Sequence, residues 1–326
     1  MNELKTLWKL YHYAQELKPK VIKASVYSIT NKVFDLFPPL LIGLAVDTVV
    51  KGDQSFLSHY GAATQFDQLL IIAALTVVVW VLESFFEYLF AVEWRELAQA
   101  IQHKMRMNCY AHLQHLDHSF FEDQSSGNLI SILGEDINQL ERFLDVGMNE
   151  LLQVITTVAV IGGIYFYHSP LLALFSFVTM PFIVWGSVWF QGFLAPLYRD
   201  VRDRAGLMTG ELSNNLQGIS TIKSFARESE DYTKMARFSR DYLEANQKAI
   251  KVSALFTPVI RMLVMVGFLV TLLFGGKLTL NGVIEVGTYS TMVFLIQRLL
   301  WPLTRLGQTL DLFQRAMAST NRALIS

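Results

Sequence analysis

The sequence predicts an all-α, polytopic membrane protein of six long transmembrane helices that extend beyond the bilayer into the cytoplasm, preceded by an amphipathic surface helix. Three observations predict it. Residues 67–120 contain neither Gly nor Pro; they are apolar from Leu69 to Leu82 and polar from Glu93 through Arg95, Glu96, Gln99, Gln102, His103, Lys104, Arg106 and Asn108. One unbroken helix over such a stretch reaches roughly 75 Å, against a hydrocarbon core of about 30 Å, so half of it stands in water. The composition is 52% hydrophobic and 17% charged with a mean hydropathy of +0.34, on the membrane side of soluble averages. Finally, Lys and Arg crowd one side: the short connections at 51–66, 168–170 and 276–287 hold only Lys51 and Lys277, whereas Arg199, Arg202, Arg204, Lys223, Arg227, Lys234, Arg237, Arg240, Lys248 and Lys251 lie opposite. By the positive-inside rule both termini are cytoplasmic.

Each element follows from its pattern. In residues 1–18, Leu4, Leu7, Trp8, Tyr11, Ala14 and Leu17 recur at helical spacing with Lys5, Lys9 and Lys18 placed to snorkel, which predicts a helix lying on the membrane surface. Residues 19–326 form the membrane domain. Its first span covers 21–50, with a kink expected at Pro38 and Pro39, and 51–66 is a polar loop. The long helix is the second span. The third, 128–167, and the fourth meet at the turn His168-Ser169-Pro170 as an antiparallel hairpin, and Pro181, Gly186, Gly192 and Pro196 fall inside the fourth. A fifth span covers 230–275, apolar from Val252, and a sixth starts near Val286 and is apolar only to Leu303. The outer loops are short and the two inner excursions long, which a simple channel bundle does not need.

Other chemistries find little support. A net charge of −1 offers no basic face for nucleic acid. The lone Cys109 cannot form an intrachain disulfide and reads as a structural thiol. His112, His115 and His118 share one side of a helix end, but a mobile loop end lacks the fixed second shell that a metal wants, so no metal site is expected. The N-terminus lacks a basic start followed by a short apolar core, so no cleavable signal is expected.

The most specific strings sit at the tips of the two excursions. The first is His115-Leu116-Asp117-His118-Ser119-Phe120-Phe121-Glu122-Asp123-Gln124-Ser125-Ser126-Gly127-Asn128-Leu129, followed by Gly134-Glu135-Asp136-Ile137; the second is Leu216-Gln217-Gly218-Ile219-Ser220-Thr221-Ile222-Lys223-Ser224-Phe225-Ala226-Arg227-Glu228. Together they resemble the intracellular loops of ABC exporters of the six-helix half-transporter kind, and the resemblance covers the whole chain. It implies that residues 120–127 and 218–228 are coupling helices that dock onto an ATPase domain, the second onto the partner's. It assigns that role to Phe120, Phe121, Glu122, Gly127, Gly218, Ile222, Lys223, Phe225 and Glu228. It also implies a second half-transporter, as homodimer or heterodimer, and export of an amphipathic lipid or hydrophobic small molecule by alternating access from a bacterial inner membrane. A regulator or gated channel on the same fold is the alternative. No Gly-x(4)-Gly-Lys-Ser/Thr string occurs, so no cofactor is expected in this chain, and ATP and Mg belong to a nucleotide-binding domain outside it.

Within the spans, Lys32, Asp35, Glu83, Glu87, Arg261 and Arg298 are ionisable, and such groups cost roughly 2.5 kcal/mol or more each at mid-bilayer unless they face a cavity or a partner. Glu83 and Glu87 share a face and call for a cation, which Arg261 and Arg298 can supply. Two readings stand: a translocation cavity lined by Lys32, Glu83, Glu87, Arg261, Tyr289, Phe294 and Arg298, or ion pairing between helices.

Overall fold

Proline position decides where the first span breaks. In the computed structural model, which describes residues 15–52, 64–117, 120–121 and 126–325, the span is two helices, α1 (Lys18–Asp35) and α2 (Phe37–Lys51), joined at Leu36. A proline donates no N–H and its ring crowds the carbonyl four residues back, so Pro38 and Pro39 break the helix just ahead of themselves rather than at their own positions. The 3-10 turn Gln15–Leu17 precedes α1; the surface helix predicted over 1–18 otherwise lies outside the described residues, as does the greater part of the loop at 51–66.

The long second span is α3 (Gln65–Gln114), fifty residues in one helix. A reciprocal cap starts it: Thr64 Oγ1 accepts the Asp67 N–H at 3.2 Å while Asp67 Oδ2 accepts the Thr64 N–H at 3.2 Å. It stops at Gln114, six residues short of the predicted end, where the His115 N–H turns back to the His112 carbonyl at 2.9 Å and His115 Nδ1 contacts the Ala111 carbonyl at 2.7 Å. No Gly or Pro marks this end, so counting breakers overruns it.

The third span runs continuously from Leu129 to His168. It is α4 (Ser126–Ser131), α5 (Ile137–Arg142) and α6 (Met148–His168), linked by two π-helical turns, Ile132–Asp136 and Phe143–Gly147. Ser169 Oγ accepts the Leu172 N–H at 3.3 Å and opens α7 (Pro170–Phe177), and α8 (Thr179–Gln217) carries on after a break at Val178, three residues ahead of Pro181. The short α9 (Ile219–Ser224) leads to α10 (Glu228–Val270), a π turn at Thr271–Gly275 and α11 (Gly276–Leu280). Finally α12 (Val286–Leu303) and α13 (Leu306–Ile325) form the last arm.

Among the described residues, five helices are long and apolar enough to cross a membrane. The sixth segment, α12, is diluted by Gln297 and Arg298 but buries Met292, Leu295, Ile296, Leu299 and Leu300 almost completely. A helix that buries one face this completely against its neighbours needs a narrower apolar surface than one that meets lipid all round. α2 and α12 touch backbone to backbone: a Cβ on Gly287 would lie 2.3 Å from the Gly43 carbonyl oxygen, and one on Gly43 2.5 Å from that of Gly287. Asp47 Oδ1 accepts the Gly287 N–H at 2.8 Å, an anion at a helix N-terminus, and Lys51 Nζ reaches Glu285 Oε1 at 2.7 Å.

The chain divides into two units, Met1–Pro181 with Val266–Ser326, and Phe182–Met265. The largest apolar core of the first unit lies in the half of α3 beyond the membrane. There Trp94, Leu97, Ala98, Ile101 and Met105 pack with Ile132, Ile137, Leu140 and Phe143 of the third span and with Ala316 and Met317 of α13. Water drives this burial; lipid would not, which is why intramembrane side chains such as Val77, Trp80 and Val81 stay uncovered. Trp94, 2% exposed, also donates its Nε1–H to Ser28 Oγ at 2.9 Å, and Ser28 donates to Asn149 Oδ1 at 2.8 Å, so one network joins three helices. Trp94→Phe is expected to destabilise the protein by about 2 kcal/mol through the lost hydrogen bond and the cavity left behind. Thermal unfolding in detergent checks this, and an unchanged midpoint contradicts it. In the second unit Phe190 and Phe256 join α8 to α10 at 5.1 Å between ring centroids, and Gly186 leaves room for Ile260 and Leu263.

Candidate coupling and translocation site

At the first tip, Phe120 and Phe121 stand edge to face, 5.6 Å between centroids, with Phe120 half-buried and Phe121 42% exposed. Gly127 is exposed with nothing within 4 Å of where a Cβ would sit. Glu122 and His118 lie outside the described residues.

The second tip is described throughout. α8 ends at Gln217, the Gly218 N–H donates to the Asn214 carbonyl at 2.8 Å, and the six-residue α9 follows with no buried residue. A helix so short does not hold itself in water. Ala226, at φ +50°, is the one non-glycine residue with positive φ among those described, and it turns the chain so that the Arg227 N–H reaches the Ile222 carbonyl at 3.1 Å. That conformation costs an L-residue roughly 1–2 kcal/mol. Lys223 Nζ donates to Glu228 Oε1 at 2.9 Å and holds the Glu228 carboxyl below the usual carboxylate range. Thr221, Ile222, Phe225, Arg227 and Lys234 border a hollow of about 490 Å³.

Phe225 is 72% exposed. It does not stand alone: Leu216 at 63% and Ile219 at 45% precede it at the same tip, with the half-buried Ile222 between. Leu216 and Ile219 lie in the motif string but not in the set of residues that the resemblance assigns to docking. Cys109, on the polar half of α3, is half-buried, and burial pushes its thiol above the ordinary range, in keeping with an inert structural role.

The intramembrane groups fall into separate places. Lys32 Nζ lies 2.7 Å from Asp35 Oδ2, and Arg298 donates to Asp35 Oδ1, so one carboxylate serves two cations across α1 and α12. Two cavities adjoin this triad and share Lys32, Trp301 and Pro302. One, about 370 Å³, is lined by Asp35, Phe294 and Arg298; the other, about 390 Å³, by Glu150, Gln153, Arg305 and Thr309. Thr309 Oγ1 donates to Glu150 Oε2 at 2.6 Å. Glu83 is half-buried, its backbone carbonyl accepting Asn31 Nδ2–H at 2.8 Å, and Glu87 is exposed; neither lines these cavities. Arg261 is exposed in the second unit. Tyr289 packs against Gly275 and donates its hydroxyl to the Leu272 carbonyl at 2.9 Å, a packing position. Of the predicted lining set, Lys32, Phe294 and Arg298 come together. Glu150, Trp301, Arg305 and Thr309 escape sequence reading because the break after Leu303 at Thr304 and Arg305, which opens beside them, sits in what reads as a plain helix end.

Comparison with known proteins agrees with this architecture. The family described as ABC transporter transmembrane region matches residues 21–303. The ABC transporter ATP-binding protein YknV of Bacillus subtilis is 25% identical over 97% of this chain and 51% of its own length. A multidrug efflux ATP-binding/permease protein of Mycobacterium bovis is 26% identical over 88% of the chain and 23% of its own length. The multidrug resistance-like ATP-binding protein MdlA of Buchnera aphidicola is 22% identical over 96% and 52%. The chain thus spans about half the length of the first curated relatives it matches, or less. Long helices apolar enough to cross a membrane, together with that match, make this chain an integral membrane protein that belongs to the ABC transporter transmembrane-region family.

Proposed function

We propose that this chain is the membrane half of an ATP-driven exporter that moves an amphipathic lipid or hydrophobic small molecule out of the cytoplasm or inner leaflet by alternating access. The observation that carries the reading is the second tip: a strained, coreless turn presenting Leu216, Ile219 and Phe225 to solvent. Large apolar residues at a loop tip commonly mark a docking surface. In this reading the tips, including Phe120, Phe121, Glu122 and Gly127 on the first and Gly218, Ile222, Lys223, Phe225 and Glu228 on the second, seat on ATP-binding domains that carry ATP and Mg. Such a domain follows α13 or is a separate polypeptide. A second half-transporter completes the pathway, and the cavities at Lys32, Asp35, Phe294 and Arg298 contribute to it. Both termini lie in the cytoplasm, and the membrane is a bacterial plasma membrane.

The test is reconstitution of the chain with its ATP-binding domain in liposomes. The reading expects ATP-dependent, vanadate-sensitive movement of a fluorescent phospholipid or a hydrophobic dye. ATP-gated ion conductance without such movement overturns transport in favour of a channel.

Topology gives a separate prediction. In a Cys109→Ser background, Leu280→Cys, at a position 90% exposed, reacts with an impermeant thiol reagent applied to intact cells, and Ser229→Cys reacts only after permeabilisation. Labelling of Ser229→Cys from outside contradicts the proposed orientation.

A further inference from the structure

The first π turn of the third span ends on Asp136, and this residue is only 6% exposed. A π turn accommodates an extra residue in the helix, so it re-aims the side chains at its end by about one residue's rotation. Asp136 is aimed at the last helix. Its Oδ1 accepts from Ser319 Oγ at 2.9 Å, its Oδ2 accepts the Arg322 Nε–H at 2.9 Å, and Arg322 Nη2 completes a two-pronged contact with Oδ1. The two ends of the pair differ: the carboxylate is buried, whereas the Arg322 side chain is 62% exposed. A buried carboxylate left without its cation is costly, so the guanidinium is held on one side by the acid and is reachable from water on the other.

The seat around this pair is not fully satisfied. Thr320, 1% exposed and next to Ser319, has the one buried side-chain oxygen without a hydrogen-bond partner among the described residues. Beside it, Ala316 and Met317 of α13 reach the core formed by Trp94, Ile137 and Phe143. α13 is seated on the third span along its length, by Thr309 on Glu150, by Phe313 against Phe143 at 5.4 Å between ring centroids, and by Ser319 and Arg322 on Asp136, so a shift of its end is passed to the third span as a unit.

We infer that the contact between Asp136 and Arg322 is a mechanical joint that carries movement of the last helix to the third span, with both as positioning residues for ATP-driven transport. This rests on the exporter reading above, in the form in which the ATP-binding domain follows α13. The third span carries at its water-side end the first tip, and at its membrane end Gln153 and Thr157 of one cavity. A pull on α13 through Arg322 therefore acts on the same continuous helix that holds both features.

The test uses the complete protein with its ATP-binding domain, reconstituted in liposomes, with a bimane fluorophore on Ile130→Cys in a Cys109→Ser background. Ile130 is on the third span and 69% exposed. ATP with orthovanadate is expected to shift the bimane emission when Asp136 and Arg322 are intact. In D136N and in R322Q that shift falls by about fivefold or more, while ATP hydrolysis at saturating ATP stays within about twofold. R322K, which keeps the charge, is expected to retain a larger shift than R322Q. Because R322Q alone leaves the buried Asp136 carboxylate without its cation, the double variant D136N/R322Q, which leaves neither charge, is measured beside the single ones and the unfolding midpoint of each is read. A full shift in R322Q overturns the joint and leaves the exporter reading intact. Absence of ATP hydrolysis and of any shift in the unaltered protein overturns both.

Discussion

Gly287→Ala is expected to destabilise the protein strongly, unlike a methyl added at an uncrowded helix glycine. The new Cβ would meet the Gly43 carbonyl oxygen at 2.3 Å and the Asp47 carboxyl carbon at 2.3 Å. The first of these is backbone and cannot rotate away. α2 and α12 must then separate, and with them go the bond from the Gly287 N–H to Asp47 and the one from Thr291 Oγ1 to the Pro39 carbonyl at 3.2 Å. Overpacking of this kind costs roughly 1–3 kcal/mol, and the lost hydrogen bonds raise the total to about 4 kcal/mol. Gly43→Ala meets the mirror-image clash and is expected to behave alike. Gly163→Ala is the control: nothing lies within 4 Å of its Cβ position, and Ala in a helix interior is favoured over Gly by roughly 0.5–1 kcal/mol. Unfolding in detergent micelles, followed by gel filtration against temperature, reads all three. Equal midpoints for Gly287→Ala and Gly163→Ala contradict this account of the seam.

The second large effect is at the second tip. Phe225 is 72% exposed with no core of its own to lose, so Phe225→Ala is expected to leave insertion and unfolding temperature unchanged. Its docking loss is another matter, because buried aromatic anchors carry about 2 kcal/mol or more at an interface, roughly thirtyfold in affinity. ATP-dependent movement of a fluorescent phospholipid by the reconstituted complete protein is therefore expected to drop at least about tenfold. Leu216→Ala and Ile219→Ala are expected to act in the same direction more weakly, since they bring less surface. Unaltered transport in all three variants contradicts a docking role for this face.

Much of the architecture is legible in the residues because membrane helices obey few rules. Apolar length identifies the spans, Pro170 and Pro181 mark turns and breaks, and the absence of Gly and Pro over 67–120 foretells a helix that outruns the bilayer. What escapes has physical causes. The end at Gln114 comes from a local turn at His115 that leaves no compositional trace. The π turns at 132–136 and 143–147 put Ile132, Phe143 and Leu144 into one core with Trp94 and Met105, residues distant in sequence that no local pattern links to them. The ionisable groups were identifiable as costly, yet their pairing was not: Arg298 and Lys32 both turn to Asp35. Glu83 accepts Asn31 Nδ2–H on its backbone carbonyl, and its carboxyl lies within reach of the charges of Asp35, Arg298 and Lys32. The water-side core is the least legible feature, because the polar half of α3 reads as solvated until its spacing at Trp94, Leu97, Ile101 and Met105 is set against the third span.

The central claim is that the tips seat on an ATP-binding domain, and the alkylation rate of Phe225→Cys in a Cys109→Ser background tests it most directly. The rate is measured in detergent on this 326-residue chain alone and on the same chain joined to or mixed with its ATP-binding domain. A seated tip excludes reagent, so the account predicts a rate at least about tenfold slower with the domain present, in line with burial of an interface anchor. The rate at Leu280→Cys, which the proposed topology places across the membrane, stays the same. Equal rates at Phe225→Cys with and without the domain would contradict the account.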